Sequence, residues 1–338
     1  MTHMDVDHLH ALVREKITDF MVANQLEQFF ESYSKIPTLP KFPNLPHLFE
    51  QYIDLVNKQL HTSYSFDHYH ESERQPFDYY DFGRDMVRPL LDLTHSSILG
   101  QENLQSIISS INRGDNVILM ANHQSEIDPQ IISLLIDGIS PELASSIIYI
   151  AGHRVTSDPL AVPFSRGINL LCIYSKRYID HPPEEKEKKL YHNTKTLTAL
   201  EHLLTEGGKC IYVAPSGGRD RYDANREIEI APFDPQSVEI FHLLDKKSKI
   251  PTHFHLFALS TISLLPPPSE ININLGEARH VSFSPAHLFF GPEIDMEKIT
   301  TSTDKKTQRL DRSTWMTEKI KELYSNFKRD VGSKLGFN

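Results

Sequence analysis

Apolar positions recur along this chain with two different rhythms. Over the first sixty residues the period is helical. Leu9, Leu12, Val13, Ile17, Phe20 and Met21 share one face, and Leu26, Phe29 and Phe30 continue it or begin a second helix. After a proline-rich joint, "IPTLPKFPNLP" (Ile36–Pro46), the segment "HLFEQYIDLVNKQL" (His47–Leu60) returns to the same pattern. The polar stretch "HTSYSFDHYHESERQP" (His61–Pro76) then breaks it. This predicts a small N-terminal helical-bundle domain over residues 1–75.

From residue 76 onwards the rhythm changes. "NLQSIISSINRGD" reads as a helix with Gly114 as its stop signal. Short apolar runs follow at Val117–Ala121, Ile147–Ala151, Asn169–Ile173, Cys210–Ala214 and His253–Ala258. Helical stretches separate most of them, the longest from about Pro183 to Glu206 before Gly207-Gly208. Strands alternating with helices predict an α/β fold with a largely parallel sheet flanked by helices, over residues 76–338. "ININLGE" and "HVSFSP" are close in sequence and suggest a hairpin, which makes the sheet mixed.

Composition narrows the picture. The 338 residues are 39% hydrophobic and 24% charged, an ordinary globular balance. The formal net charge of −10 argues against broad nucleic-acid binding. Cys172 and Cys210 both lie in apolar runs, which suits buried thiols in a reducing compartment. No apolar run reaches the roughly 18 residues that a membrane span needs. The longest candidate, "LFALSTISLL" (Leu256–Leu265), runs into Pro266-Pro267-Pro268. The opening "MTHMDVDHLH" has no apolar signal core. A soluble protein with at most transient membrane contact is expected, in the cytoplasm, or in the plastid stroma if a transit peptide has been removed.

The chemistry concentrates in "VILMANHQSEIDPQIISLLI" (Val117–Ile136), where a strand feeds a helix. In parallel α/β sheets, ligands collect beyond the carboxyl ends of strands. Asp128-Pro129 by itself reads as a helix cap followed by proline at the first helical position, a pattern repeated at Asp158-Pro159 and Asp234-Pro235. Paired with His123, Asp128 gains a second reading. A histidine accepts a proton near neutral pH, and a carboxylate on its other ring nitrogen orients it and stabilises the imidazolium. No Gly-x-Ser-x-Gly elbow supplies a nucleophile, so a substrate hydroxyl is the natural candidate. Further on, "APSGGRDRYD" (Ala214–Asp223) follows an apolar run and places Arg219 and Arg221 two apart. It reads either as an anion clamp or as a surface turn whose arginines pair with Asp220 and Asp223.

"NHQSEIDP" resembles the Asn-His-x4-Asp signature of glycerolipid acyltransferases. Their soluble plastid-type glycerol-3-phosphate acyltransferase branch is similar over more of the chain. The matching blocks are "PFDYYDFGRDMVRPLLD", "SDPLAVPFSRGINLLCIYSKR", "APSGGRDR" and the "PPP" after "FALSTISLL", in order from about Pro76 to Met296. The resemblance implies that His123 is the general base on the sn-1 hydroxyl of glycerol 3-phosphate and that Asp128 orients it. It implies that Arg219 and Arg221 bind the substrate phosphate, with Arg177 and, more weakly, Lys176 of "SKRY" beside them. Tyr178 departs from the family's histidine there. The implied reaction needs no cofactor. Its acyl donor is a thioester of acyl carrier protein, or of coenzyme A.

An acyl groove cannot be told from core in one dimension. Leu160, Val162 and Phe164 are candidates whose ordinary role is packing. "EEKEKKLYHNTK" (Glu184–Lys195) and "DKKSK" (Asp245–Lys249) offer lysines for an acidic carrier, though such runs are more often solvated helix faces. Two rival classes remain open. A metal-dependent phosphoesterase would recruit His68, His70 and Glu71 with His123 and Asp128. A non-catalytic lipid or phosphate carrier would use the arginines and have no need of the His123–Asp128 pair.

Overall fold

The computed structural model of the chain describes residues 4–268 and 276–335, without the side chains at 177, 178 and 328–335. Three helices open it: α1 (Val6–Lys16), α2 (Phe20–Tyr33) and α3 (Leu45–His61). Asp5 and Asp19 cap the first two, accepting from His8 N and from Met21 N and Val22 N. Their apolar faces meet in edge-to-face aromatic pairs, with Phe49 centred 5.1 Å from Phe30 and 4.9 Å from Tyr33.

This core does not stop at residue 75. It continues into α4 (Tyr79–Val87) through Phe82, Met86 and Val87, and on to Ile127, Ile131, Leu160 and Leu264. The Tyr52 hydroxyl donates to the Leu160 carbonyl at 2.8 Å, and Val281 N donates to Ser32 Oγ at 3.1 Å. The helices therefore buttress the loops that carry the polar clusters.

The remaining chain builds a sheet. After β1 (Tyr69–His70), α4 and β2 (Ser97–Leu99) comes α5 (Gln101–Asn112), then β3 (Asn116–Ala121), α6 (Asp128–Ile136) and α7 (Pro141–Ser146). Next are β4 (Ile148–Gly152), α8 (Val162–Ser165), β5 (Asn169–Ile173), α9 (Lys176–Ile179) and α10 (Lys186–Glu206). The chain continues through β6 (Cys210–Val213), β7 (Arg221–Tyr222), β8 (Ile228–Glu229) and α11 (Pro235–Lys247). It ends with β9 (Thr252–Ser260), β10 (His287–Ile294) and α12 (Lys305–Leu335).

Among the described residues, the main sheet has eight strands in the order β1-β5-β4-β6-β3-β9-β10-β2. Strands β5, β4, β6, β3 and β9 run parallel, and β1 and β10 pair antiparallel with β5 and β9. All six residues of β3 are buried, as expected for a central strand covered on both faces. The sheet is mixed and largely parallel, and each predicted apolar run is one of its strands. Cys172 and Cys210 are buried and free, and burial pushes both thiols up to about 12.

The late hairpin differs from the sequence reading. The antiparallel partner of β9 is β10, "HLFFGPEI", and not "HVSFSP", which contributes one isolated bridge from Ser284 to Leu91. Residues 271–275 of "ININLGE" lie outside the described residues. The predicted helix from Pro183 begins with a 3-10 turn over Pro183–Glu185. Leu160 and Val162 are core residues, and Phe164 packs edge-on against Tyr52 at 5.5 Å. The Met316, Ile320, Tyr324 and Phe327 stripe of α12, one helical face, lies on the other side of the sheet among Phe254, Leu256 and Phe241.

Candidate active site

Strands β6, β3 and β9 are neighbours and parallel, so their carboxyl ends converge. Three connections leave from there: Asn122–Ile127 after β3, Ala214–Asp220 after β6, and Thr261 onwards after β9. The sheet thereby gathers residues up to 153 positions apart in the chain into one polar cluster.

His123 Nδ1 sits 2.8 Å from Asp128 Oδ2. The aspartate side chain is 1% exposed and the imidazole 30% exposed. Asp128 begins α6, yet its carboxylate does not cap that helix. The cap position is Ile127, with no side-chain bond. Asp128 Oδ2 instead accepts from the backbone N–H groups of Gln124 (2.9 Å) and Ser125 (3.2 Å), and Oδ1 accepts from Thr261 Oγ1 at 2.6 Å. Asp234, by contrast, is a true cap that accepts from Ser237 N. The capping explanation thus holds for Asp234 and fails for Asp128, whose carboxylate is turned back onto the histidine loop. Among the described residues, His123 Nε2 meets no hydrogen-bond partner, so the ring presents that nitrogen to whatever enters.

The flanking amides are equally fixed. Asn122 bonds both backbone groups of Leu259, receiving N–H at 2.7 Å and donating to C=O at 3.0 Å. Gln124 Oε1 accepts from Thr261 N (2.7 Å) and Ile262 N (3.1 Å). The Tyr212 hydroxyl donates to the Asn122 carbonyl at 2.8 Å. Asp220 closes the arrangement. Its N–H donates to the His123 carbonyl at 2.7 Å, and Oδ2 accepts from Asn122 Nδ2 (2.7 Å) and Gln124 Nε2 (3.1 Å). Burial pushes the Asp220 carboxyl upward, against the opposing pull of these donors.

Arg219 lies on the loop after β6 and Arg221 opens β7, one on either side of Asp220. Gly217, at φ +64°, lets the chain turn back with Ser216 Oγ donating to the Gly218 carbonyl at 2.9 Å. Arg219 pairs with Glu277, not with Asp220 or Asp223; the Oε2 contact is 2.6 Å. It also lies 3.7 Å from Glu126 Oε1. Arg279 joins the same group, donating to Glu126 Oε2 (2.9 Å), Asp158 Oδ2 (3.0 Å) and the Glu277 carbonyl (3.0 Å). Arg154 approaches Glu277 at 3.7 Å. Burial opposes the Glu126 charge, but Arg279 and Arg219 outweigh it and hold the carboxyl down at about 2. Arg221 donates from Nη1 to the Pro268 carbonyl. Lys176 is exposed and pairs with Asp234 at 2.8 Å, and the Arg177 side chain lies outside the described residues.

Sequence reading missed Glu126, Asp158, Asp220, Thr261, Glu277 and Arg279 as parts of this cluster. Glu126, Asp158 and Asp220 stood inside quoted motifs. Thr261, Glu277 and Arg279 carry no local signal. His70, a candidate metal ligand, is committed elsewhere: Nε2 lies 3.1 Å from the Arg166 carbonyl and Nδ1 3.3 Å from the Tyr64 hydroxyl. Among the described residues, no three His, Cys, Asp or Glu side chains group as metal ligands.

The acyltransferase family model matches residues 96–252, which contain both the histidine loop and the arginine loop. Residues 96–252 belong to the acyltransferase family. The chain is similar to a chloroplastic glycerol-3-phosphate acyltransferase of Cucurbita moschata, 38% identical over 286 residues, 84% of this chain and 62% of that protein. The corresponding chloroplastic proteins of Arabidopsis thaliana (38% over 246 residues, 72% of this chain and 54% of that one) and Spinacia oleracea (36% over 288 residues, 84% and 61%) are also similar. The chain therefore spans between 54% and 62% of the length of these three relatives. A solved structure, the 1-acyl-sn-glycerophosphate acyltransferase from Thermotoga maritima, aligns over 96% of this chain and 99% of its own at 15% identity and a TM-score of 0.40, a remote likeness. Among the described residues no helix is long and apolar enough to cross a membrane.

Proposed function

We propose that the chain is a glycerol-3-phosphate 1-O-acyltransferase. It transfers a fatty acyl group from a thioester to the sn-1 hydroxyl of glycerol 3-phosphate, giving 1-acylglycerol 3-phosphate, the first step of phospholipid synthesis. The observation that carries this reading is the ring of His123, held at Nδ1 by a buried carboxylate, open at Nε2, and one hydrogen bond from the loop of Arg219 and Arg221. The 38% identity to a chloroplastic glycerol-3-phosphate acyltransferase supports the choice of acceptor.

In this mechanism His123 Nε2 takes the sn-1 hydroxyl proton while that oxygen bonds to the thioester carbon. Asp128 stabilises the resulting imidazolium. The tetrahedral oxyanion collapses, the C–S bond breaks, and the leaving thiolate takes the proton from the imidazolium. No acyl-enzyme and no cofactor enter the cycle. Arg219 and Arg221 hold the phosphate, together with Arg177 and, more weakly, Lys176. Because Nη2 of Arg219 is engaged by Glu277, the remaining guanidinium N–H groups are the ones that face substrate. The donor is acyl carrier protein, with coenzyme A as a second carrier, and the setting is the plastid stroma or the cytoplasm. The helices of residues 1–75 serve as a buttress for α4, α6 and α8.

The test is thiol release from acyl-carrier protein and acyl-coenzyme A, with and without glycerol 3-phosphate. Release that depends on glycerol 3-phosphate and yields an sn-1 ester is expected. A lipid or phosphate carrier would release no thiol. A metal-dependent phosphoesterase would liberate inorganic phosphate and stop on chelation. Either result would replace the acyltransferase reading.

A further inference from the structure

Asp220 occupies an unusual position. It stands between the two arginines assigned to the phosphate, yet its own side chain is 1% exposed and turned into the protein. Its N–H and one carboxylate oxygen bind three successive residues of the histidine loop: the His123 carbonyl, the Asn122 amide and the Gln124 amide, at 2.7, 2.7 and 3.1 Å. The other oxygen accepts from Ala231 N at 3.0 Å, which ties it to the strand-like segment returning from β8. The two amides are then pinned on their far side by Leu259, Thr261 and Ile262. Thr261 in turn holds Asp128.

A buried carboxylate is costly to desolvate, and a short loop has no need of one for its own turn. Here the carboxylate and its peptide are a direct hydrogen-bonded link between the arginine loop and the catalytic histidine, beside the longer Arg219–Glu126 contact. We propose that Asp220 is a positioning residue that sets the register between the phosphate arm and His123, so that a phosphate held on the arginines places the sn-1 oxygen against Nε2. This rests on the acyltransferase reading above. Asp220 itself touches neither substrate nor the transferred proton.

A register device has a kinetic signature that neither a phosphate ligand nor a purely structural residue shares. Removing a phosphate ligand raises KM for the acceptor. Removing a structural residue lowers the active fraction for every acceptor alike. Losing register leaves the phosphate bound but delivers its hydroxyl to the wrong place, which lowers kcat at saturating acceptor. Glycerol has no phosphate and reaches His123 without using the register.

The experiment compares wild type and Asp220→Asn with glycerol 3-phosphate and with glycerol at high concentration, using one acyl donor and one preparation of each protein. Inactive protein cancels in the ratio of the two acceptors. For glycerol 3-phosphate, kcat should fall roughly ten- to a hundredfold, the effect of one charge-assisted bond, while its KM moves by less than about threefold. The glycerol rate should fall by a factor several times smaller. Adding Gln124→Glu to Asp220→Asn should recover part of kcat, because the new carboxylate can accept from the new amide and still accept from Thr261 N and Ile262 N. Equal proportional losses with both acceptors, an acceptor KM that rises in step with the loss, or an unchanged kcat would each overturn the proposal. Wild-type protein that releases no thiol with glycerol 3-phosphate would overturn the acyltransferase reading itself, before any variant is measured.

Discussion

The two arms of the site are built by opposite means. The histidine arm, Asn122 to Asp128, is held by neutral amides and the buried carboxylates of Asp128 and Asp220. Asn122, Gln124, Ser125 and Asp128 are all fully buried, and the side-chain groups of Asn122, Gln124 and Asp128 already have protein partners. The arginine arm is held by full charges. Arg154, Arg219 and Arg279 face Glu126, Asp158 and Glu277 in a group that balances to zero. The first arm is a finished piece of geometry that needs nothing from substrate. In the second, the guanidinium groups of Arg219 and Arg279 already have carboxylate partners, so on the proposed reading an acceptor phosphate would share them.

The strongest way to break the comparison is to remove the base. His123→Ala should lower kcat by about 10²- to 10⁴-fold at unchanged melting temperature, since the partly exposed ring carries little of the core. A folded variant retaining most of its turnover would end the general-base assignment. Asp128→Asn is the finer cut. The amide can keep the Gln124 and Ser125 N–H bonds through its oxygen and face the Thr261 hydroxyl with its nitrogen, so stability should hold while kcat drops by about 10² as the charge behind the imidazolium disappears. Coincident loss of melting temperature and activity would reduce Asp128 to a structural role.

On the other arm, Arg219→Ala and Arg221→Ala should each lower kcat/KM for glycerol 3-phosphate by roughly 10- to 150-fold, with little change for the acyl donor. Lysine should rescue only partly, because a point charge cannot reproduce the guanidinium fork. Arg219→Ala should also cost stability, since it strips a partner from buried Glu277, whereas Arg221 bonds a carbonyl. Glycerol and glycerol 3-phosphate losing equally would withdraw the phosphate assignment.

The smallest effect sharpens the charge balance. Glu126 has its folded pKa lowered from the ordinary 4.5 to about 2, so its contribution to stability is present above about 4.5 and is lost as pH falls through that window. About 1–2 kcal/mol should disappear between those limits, less than the full displacement implies because Arg279 keeps Asp158 and Arg219 keeps Glu277. Urea unfolding at several acid pH values should show a steeper loss for wild type than for Glu126→Gln. Parallel slopes would mean that Glu126 is not the group being titrated.

The chain's own pattern determined most of the scaffold. Every strand of the parallel core was legible because a strand buried on both faces must be a nearly continuous apolar run, as Val117–Ala121 is within β3. The opening helices were legible because one wet face leaves a 3.6-residue period. The His123–Asp128 pair was visible because both members lie within one turn of chain. What remained hidden was of another kind. β10 contains Gly291 and Pro292 and mixes exposed with buried positions, so it has no clean period. Arg279 and Glu277 belong to no motif, and they meet Glu126, Asp158 and Arg219 only because β3, β6 and β9 run parallel and deliver their carboxyl ends to one place. The sequence could also not tell a cap from an orienter at three Asp-Pro steps, since the local code is the same. Asp128 is held toward His123 with Thr261, 133 residues away, donating to its second oxygen. Periodicity reports which face of an element is dry, and that is a local property. Which charge finds which partner depends on where the sheet brings distant loops together, and that was decided only by the tertiary fold.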